Sequence, residues 1–341
     1  MPHRRFWTKY SDEKLLQVPL KDLGVSVERT WLARCVKDLY GEIEERGLRI
    51  RPRVWISDEW FSPAGTPGIA IPFYLAHPRL MRLERKKILE VEGGTVPECM
   101  RILRHEAGHV VQHAYRLHRR RSWQKHFGHS SEKYPEYYRP NPASKRYVQH
   151  LRLWYAQSHP DEDFAETFAI WLTPRSAWRK RYAGWPALNK LEYVDELMAE
   201  IANQPPILKR GPMVDPISRL NWTLEEYYKK KVALYATEAP TTYDKDLLRI
   251  FSSDPRHSDS PAASAFIRRH RKRLRQDVAD WTGEYQLALD SIIDDIIARC
   301  RELKLRAVGS ERRLLADFTI LFTAHVVHSI YNPNRRMWLA V

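Results

Sequence analysis

No stretch of this sequence is apolar for long enough to cross a bilayer. The longest mostly apolar run, Leu314 to Val327, covers 14 residues and contains Asp317, whereas a spanning helix needs about 20. A secretory leader is missing too, because the basic start Met1-Pro-His-Arg-Arg is followed by no apolar segment. A cytoplasmic protein with no membrane partner is therefore expected. Cysteine is scarce: Cys35, Cys99 and Cys300 are odd in number and far apart. That excludes a disulfide framework and predicts buried thiols in a reducing compartment. Acidic residues are outnumbered, 42 Asp+Glu against 57 Lys+Arg, which leaves a net charge of +15. Taken alone, such a balance points to nucleic acid or an anionic surface. Aromatic residues are plentiful. With 12 Trp, 17 Tyr and 10 Phe in 341 residues, there is enough buriable surface to exclude disorder as the main state.

The hydrophobic pattern gives the order of elements. Val27, Trp31, Cys35, Val36, Leu39 and Ile43 recur at three and four between Ser26 and Gly47, which predicts an amphipathic helix over 27–46. Strands are expected at Arg53–Ser57 and at Gly68–Ala76, the second on an edge because Pro72 removes a ladder donor. Thr95-Val-Pro97 opens a long helix running to about His118. Another starts near His159-Pro160 and ends at Leu172, and further helices are expected at 187–203 and 224–235. Residues 237–264, rich in Pro, Ser, Thr and Asp, are the expected linker. Helices at 266–278, 283–303 and 312–328 then make residues 265–341 an all-α region. The expected class is α+β, with residues 1–236 as the first domain.

The chemistry lies in His105-Glu106-Ala107-Gly108-His109. Helical residues four apart share a face, so both imidazoles can reach one metal ion, and Glu106 beside them can take a proton from bound water. Leu103, Val110 and Val111 flank the motif, and burying two histidines and a glutamate there would be costly without a metal or partners. A catalytic zinc site needs a third protein ligand. Glu162 and Glu166, four apart on the helix after Pro160, are the candidates. One can bind metal while the other holds a ligand histidine through its free ring N–H. The residues themselves leave these two nearly even, with Asp163 behind them. His113 lies one turn beyond His109, too far along the axis for the same ion, and His159 reads as a capping or cleft residue.

His105-Glu-Ala-Gly-His109, followed by Glu162-Asp-Phe-Ala-Glu166-Thr-Phe-Ala with Tyr155 seven residues ahead of Glu162, resembles the gluzincin class of zinc metallopeptidases. The resemblance is closest to the anthrax lethal-factor type and to bacterial proteins called zinc-binding metallopeptidases, over about residues 65–172. It implies a zincin-like catalytic domain with a small N-terminal mixed sheet and a helical lower subdomain. It also implies Zn2+ held by His105, His109 and Glu162, Glu106 as general base, Tyr155 as oxyanion stabiliser, and Glu166 behind the ligands. Hydrolysis of peptide bonds by a metal-activated water, on internal bonds of a peptide or protein, is the activity implied. The strand at Gly68–Ala76 would be the edge that pairs with the extended substrate, with Pro72 interrupting the ladder.

Two other readings belong beside this one: a catalytically silent zinc-binding protein, and a nucleic-acid-binding protein using its basic segments. The second rests on Arg268–Arg275, six Lys/Arg in eight residues, and on 116–152, with ten Lys/Arg against two Glu. No nucleic-acid-binding motif accompanies either. Residues 242–341 carry 17 Lys/Arg against 13 Asp/Glu, so most of the excess lies in the part that holds the histidines. The 116–152 connection between the two site helices should border the cleft, and acidic substrates are expected.

Overall fold

A computed structural model describes residues 5–135, 138, 140–235 and 243–331. These divide into two units, residues 5–87 with 91–228 and residues 88–90 with 229–331. The fold is mostly helical with a small sheet, consistent with the α+β class. All three cysteines are buried and free. Among the described residues no helix is long and apolar enough to cross a membrane.

In the first unit, α1 (Asp12–Leu16) precedes α2 (Trp31–Glu45). Leu32, Cys35, Val36, Leu39 and Ile43 form the buried stripe of α2. It begins later than the periodicity suggests, because Arg29 takes a left-handed φ of 60° and breaks the helix before Trp31. Strands β1 (Arg53–Ser57) and β2 (Gly68–Pro72) pair in parallel, Trp55 opposite Ala70. The second strand stops at Pro72, and residues 73–76 turn into a 3-10 helix instead of extending. The sheet gains an antiparallel contact only as an isolated bridge, Phe61 to Ala70.

The chain continues through α3 (Pro78–Ile88) to α4 (Val96–Ala114), which is capped by Thr95, whose hydroxyl accepts from the Glu98 N–H. After α5 (Arg121–Phe127) comes α6 (Pro160–Leu172), buried from Asp161 onward. Helices α4 and α6 approach closely at Gly108: a Cβ there would stand 2.7 Å from Ala165 Cα. Only glycine permits this approach, and it brings the fourth turn of α4 against the second turn of α6. Helices α7 (Trp178–Arg181), α8 (Ala187–Ile201) and α9 (Leu224–Tyr235) follow, and α8 packs Leu191, Val194 and Met198 inward.

In the second unit, residues 243–264 of the stretch read as a linker carry a helix of their own, α10 (Asp244–Ile250). Leu247 and Phe251, four apart, bury an apolar edge that the polar composition around them conceals. Residues 236–242 lie outside the described residues, as do residues 332–341. The unit is completed by α11 (Ala263–Thr282), α12 (Gln286–Glu302) and α13 (Glu311–Tyr331). Helix α12 buries Leu289, Ile292, Ile293, Ile296 and Ile297 on one face.

Candidate metal centre

Helix α4 presents His105 and His109 one turn apart, and α6 presents Glu162 from its first turn. His105 Nε2 lies 3.0 Å from Glu162 Oε2, His109 Nε2 lies 3.3 Å from the same oxygen, and the two Nε2 atoms are 3.2 Å apart. All three side chains are buried. Neutral imidazoles would set their lone pairs against the carboxylate here, a costly arrangement unless a proton or a metal cation sits among them. Around a tetrahedral zinc with ligand distances of 2.0–2.1 Å, donors stand about 3.3 Å apart. The triangle therefore has the edges of one face of such a site, and the three residues can hold zinc.

Behind the triangle, His105 Nδ1 lies 2.8 Å from Glu166 Oε1. This contact keeps a ring proton on Nδ1, so that with a metal among the three residues Nε2 would be the ligating nitrogen. Glu166 is itself fully buried, and its Oε2 accepts from the Leu151 N–H at 2.8 Å. The two carboxylates govern the protonation of the histidines. Burial opposes protonation of His105, but Glu162 and Glu166 outweigh it and raise its pKa well above the ordinary value. Burial likewise pushes Glu162 up, but His109 and His105 outweigh it and hold the carboxyl low.

Glu106 lies beside this group and not in it. Its carboxyl is buried, its Oε2 has no hydrogen-bond partner among the described residues, and burial raises its pKa. The ring of Tyr155 stands 5.7 Å from that of His105, centroid to centroid. Just before it, Leu153 and Trp154 take left-handed conformations with φ of 58° and 55°, each costing about 1–2 kcal/mol. Tyr138 donates its hydroxyl to the Leu153 carbonyl at 2.9 Å and ties this reversal down. Burial, with the charge of Glu162, raises the Tyr155 pKa well above the ordinary tyrosine value.

The other candidates fall elsewhere. Asp163 pairs with Lys190 on α8, and burial, only partly offset by that lysine, pushes it to about 7. The ring of His113 lies 5.2 Å from that of His118, outside the triangle. His159 caps α6, its Nδ1 accepting from the Asp161 N–H at 3.1 Å. The edge-strand expectation for β2 needs correction. Gly68 N–H donates to Thr66 and Ala70 N–H to Phe61, at 2.9 and 2.8 Å, and Pro72 has no N–H. No donor remains on that edge for a substrate strand. The neighbouring segment does have a free edge. Ser62 alternates away from β2, and its backbone N–H and C=O meet no partner among the described residues. Its hydroxyl donates to the Glu106 carbonyl at 3.1 Å.

Sequence reasoning missed two residues. Gly108 stood only as a spacer in the motif, although a glycine inside a buried helix is a signal of close approach. Tyr134, in the aperiodic connection before α6, donates its hydroxyl to Glu162 Oε1 at 2.9 Å, and no sequence pattern marks it.

The family model described as "Putative zinc-binding metallo-peptidase" matches residues 98–196. That span is less than a third of the chain, and it contains both histidines, Glu106, Tyr155, Glu162 and Glu166. No curated protein and no solved structure matches the chain. The similarity supports a zinc metallopeptidase.

Proposed function

We propose that this chain is a zinc metallopeptidase of the gluzincin type, similar to the anthrax lethal-factor type, that cleaves internal bonds of peptides or proteins. The observation that carries the reading is the convergence of two buried imidazole nitrogens and a carboxylate oxygen beside the buried Glu106 carboxyl, whose Oε2 has no hydrogen-bond partner among the described residues. His105, His109 and Glu162 would hold the zinc, which when bound supplies a Lewis acid to polarise the scissile carbonyl and acidify water. Glu106 takes the proton from the attacking water and hands it to the leaving amine. Its raised pKa suits both halves of that task. Tyr155, which keeps its proton at neutral pH, donates to the oxygen that gains charge as the carbonyl turns tetrahedral. Glu166 holds the His105 ring in the tautomer that leaves Nε2 unprotonated.

The substrate backbone would run along the free edge at Ser62, next to Glu106, and not along β2. Acidic sequences are the proposed class. Arg116, Arg119, Arg121, Lys125, Lys133, Lys145 and Arg146 are exposed on the connection that also carries Tyr134 to Glu162, so their field should act close to the site.

Glu106→Gln tests the reading. The variant should keep zinc and lose about 10²–10⁴-fold in cleavage of a peptide library. Among peptides cut by the wild type, acidic ones should be preferred, and the preference should shrink as salt rises. Equal turnover by the wild type and Glu106→Gln would remove the general base. Zinc binding with no cleavage of any peptide would favour the catalytically silent zinc protein.

A further inference from the structure

We infer that Tyr134 is a positioning residue that keeps Glu162 on the metal through one oxygen, holding a coordination position open for water and substrate; this rests on the metallopeptidase reading above. Glu162 has two carboxylate oxygens in different surroundings. Oε2 faces His105 Nε2 and His109 Nε2 at 3.0 and 3.3 Å, while Oε1 accepts the Tyr134 hydroxyl at 2.9 Å. A carboxylate free to rotate can present both oxygens to a cation, and in a site with three protein ligands the second oxygen would fill the place that catalysis needs. Satisfying Oε1 with a hydroxyl donor removes that option.

The donor itself is fixed from behind. The Tyr134 ring lies flat on His159, centroids 3.7 Å apart and planes within 13°. Both nitrogens of His159 are engaged: Nδ1 accepts from the Asp161 N–H at 3.1 Å, and Nε2 donates to the Glu132 carbonyl at 2.9 Å. The cap of α6 thus locks the imidazole, the imidazole locks the phenol, and the phenol sets the rotation of the carboxylate on the third residue of the same helix. The aperiodic 116–152 connection thereby acquires a definite task at the site.

The test is the visible absorption of the protein loaded with Co2+ in place of zinc, whose band intensity falls as the coordination number rises. Tyr134→Phe removes one oxygen atom and leaves the stacked ring in place. It should weaken the cobalt bands as Oε1 joins the metal and lower kcat about 10–100-fold at unchanged KM, while metal affinity changes less than about tenfold. His159→Asn keeps an acceptor for the Asp161 N–H but removes the stacked ring, and should shift the bands in the same direction by less. A wild-type spectrum and wild-type turnover in Tyr134→Phe would overturn the proposal, as would loss of metal with bands unchanged per bound cobalt, the mark of a purely structural role. Failure of the wild type to bind cobalt or zinc would overturn the metallopeptidase reading itself, and this proposal with it.

Discussion

On α11 and α12, Arg271 meets Asp290 and Asp294 at 2.6 Å each, and Arg275 meets Asp290 at 2.8 Å. On α4 and α6, two imidazole nitrogens and a carboxylate oxygen converge at 3.0–3.3 Å with no Lys or Arg among them. The first arrangement is complete in itself: each guanidinium has its carboxylates, and Asp294 stands largely in water. The second is buried, and it is complete only with a metal cation or with protons on its imidazoles. The difference teaches what charge density in a sequence does and does not report. The run Arg268–Arg275 is the most basic part of the chain, yet Arg269, Arg271, Arg273 and Arg275 all face acids within the same unit. The sparse charges of α4 and α6 point to chemistry because their partners are wrong for one another.

The comparison can be broken in three places. The largest effect should follow metal removal. Chelating the zinc-loaded protein should lower stability by about 4 kcal/mol if free zinc stood at 1,000 times its Kd, read as a fall in Tm; an unmoved Tm would make the α4–α6 triangle as self-sufficient as the arginine pairs. Next comes Gly108→Ala. The added methyl meets Ala165 Cα at 2.7 Å, so the helices must part. Overpacking of this kind costs about 1–3 kcal/mol, and zinc affinity should fall with it, because the two histidines and Glu162 lie on opposite sides of that contact. Denaturant unfolding with a zinc titration measures both, and wild-type values in both would show that the close approach does not set the site. The smallest effect is expected at Arg271→Ala, about 1 kcal/mol by unfolding, with zinc content unchanged. A salt-dependent mobility shift of nucleic acid by the full chain, lost on replacing Arg268 and Lys272, would instead give the basic run a nucleic-acid partner.

The legible part of the site is the part governed by helical periodicity. Four-residue spacing alone places His105 and His109 on one face, and the same rule leaves Glu162 and Glu166 as alternatives. The geometry gives them different surroundings: Glu162 Oε2 turns toward both Nε2 atoms, and Glu166 turns to the Nδ1 side of His105. Gly108, Tyr134 and Ser62 act across contacts between elements far apart in sequence, where no local period exists to be read. The same limit explains the fold. The starts of α4 and α6 are marked by Thr95 and by His159 with its proline, but the end of β2 is set by Pro72, and the α10 helix by two apolar residues inside a polar stretch.

The central claim is that α4 and α6 together make one zinc site, and its most direct measurement is the metal content of purified protein with the X-ray absorption spectrum of the bound metal. The account predicts one zinc per chain with two imidazole nitrogens and a carboxylate oxygen among its ligands, lost in His109→Ala and Glu162→Ala and retained in Arg271→Ala. A wild-type protein that takes up no zinc, or a Glu162→Ala variant that holds it as tightly as the wild type, would contradict it.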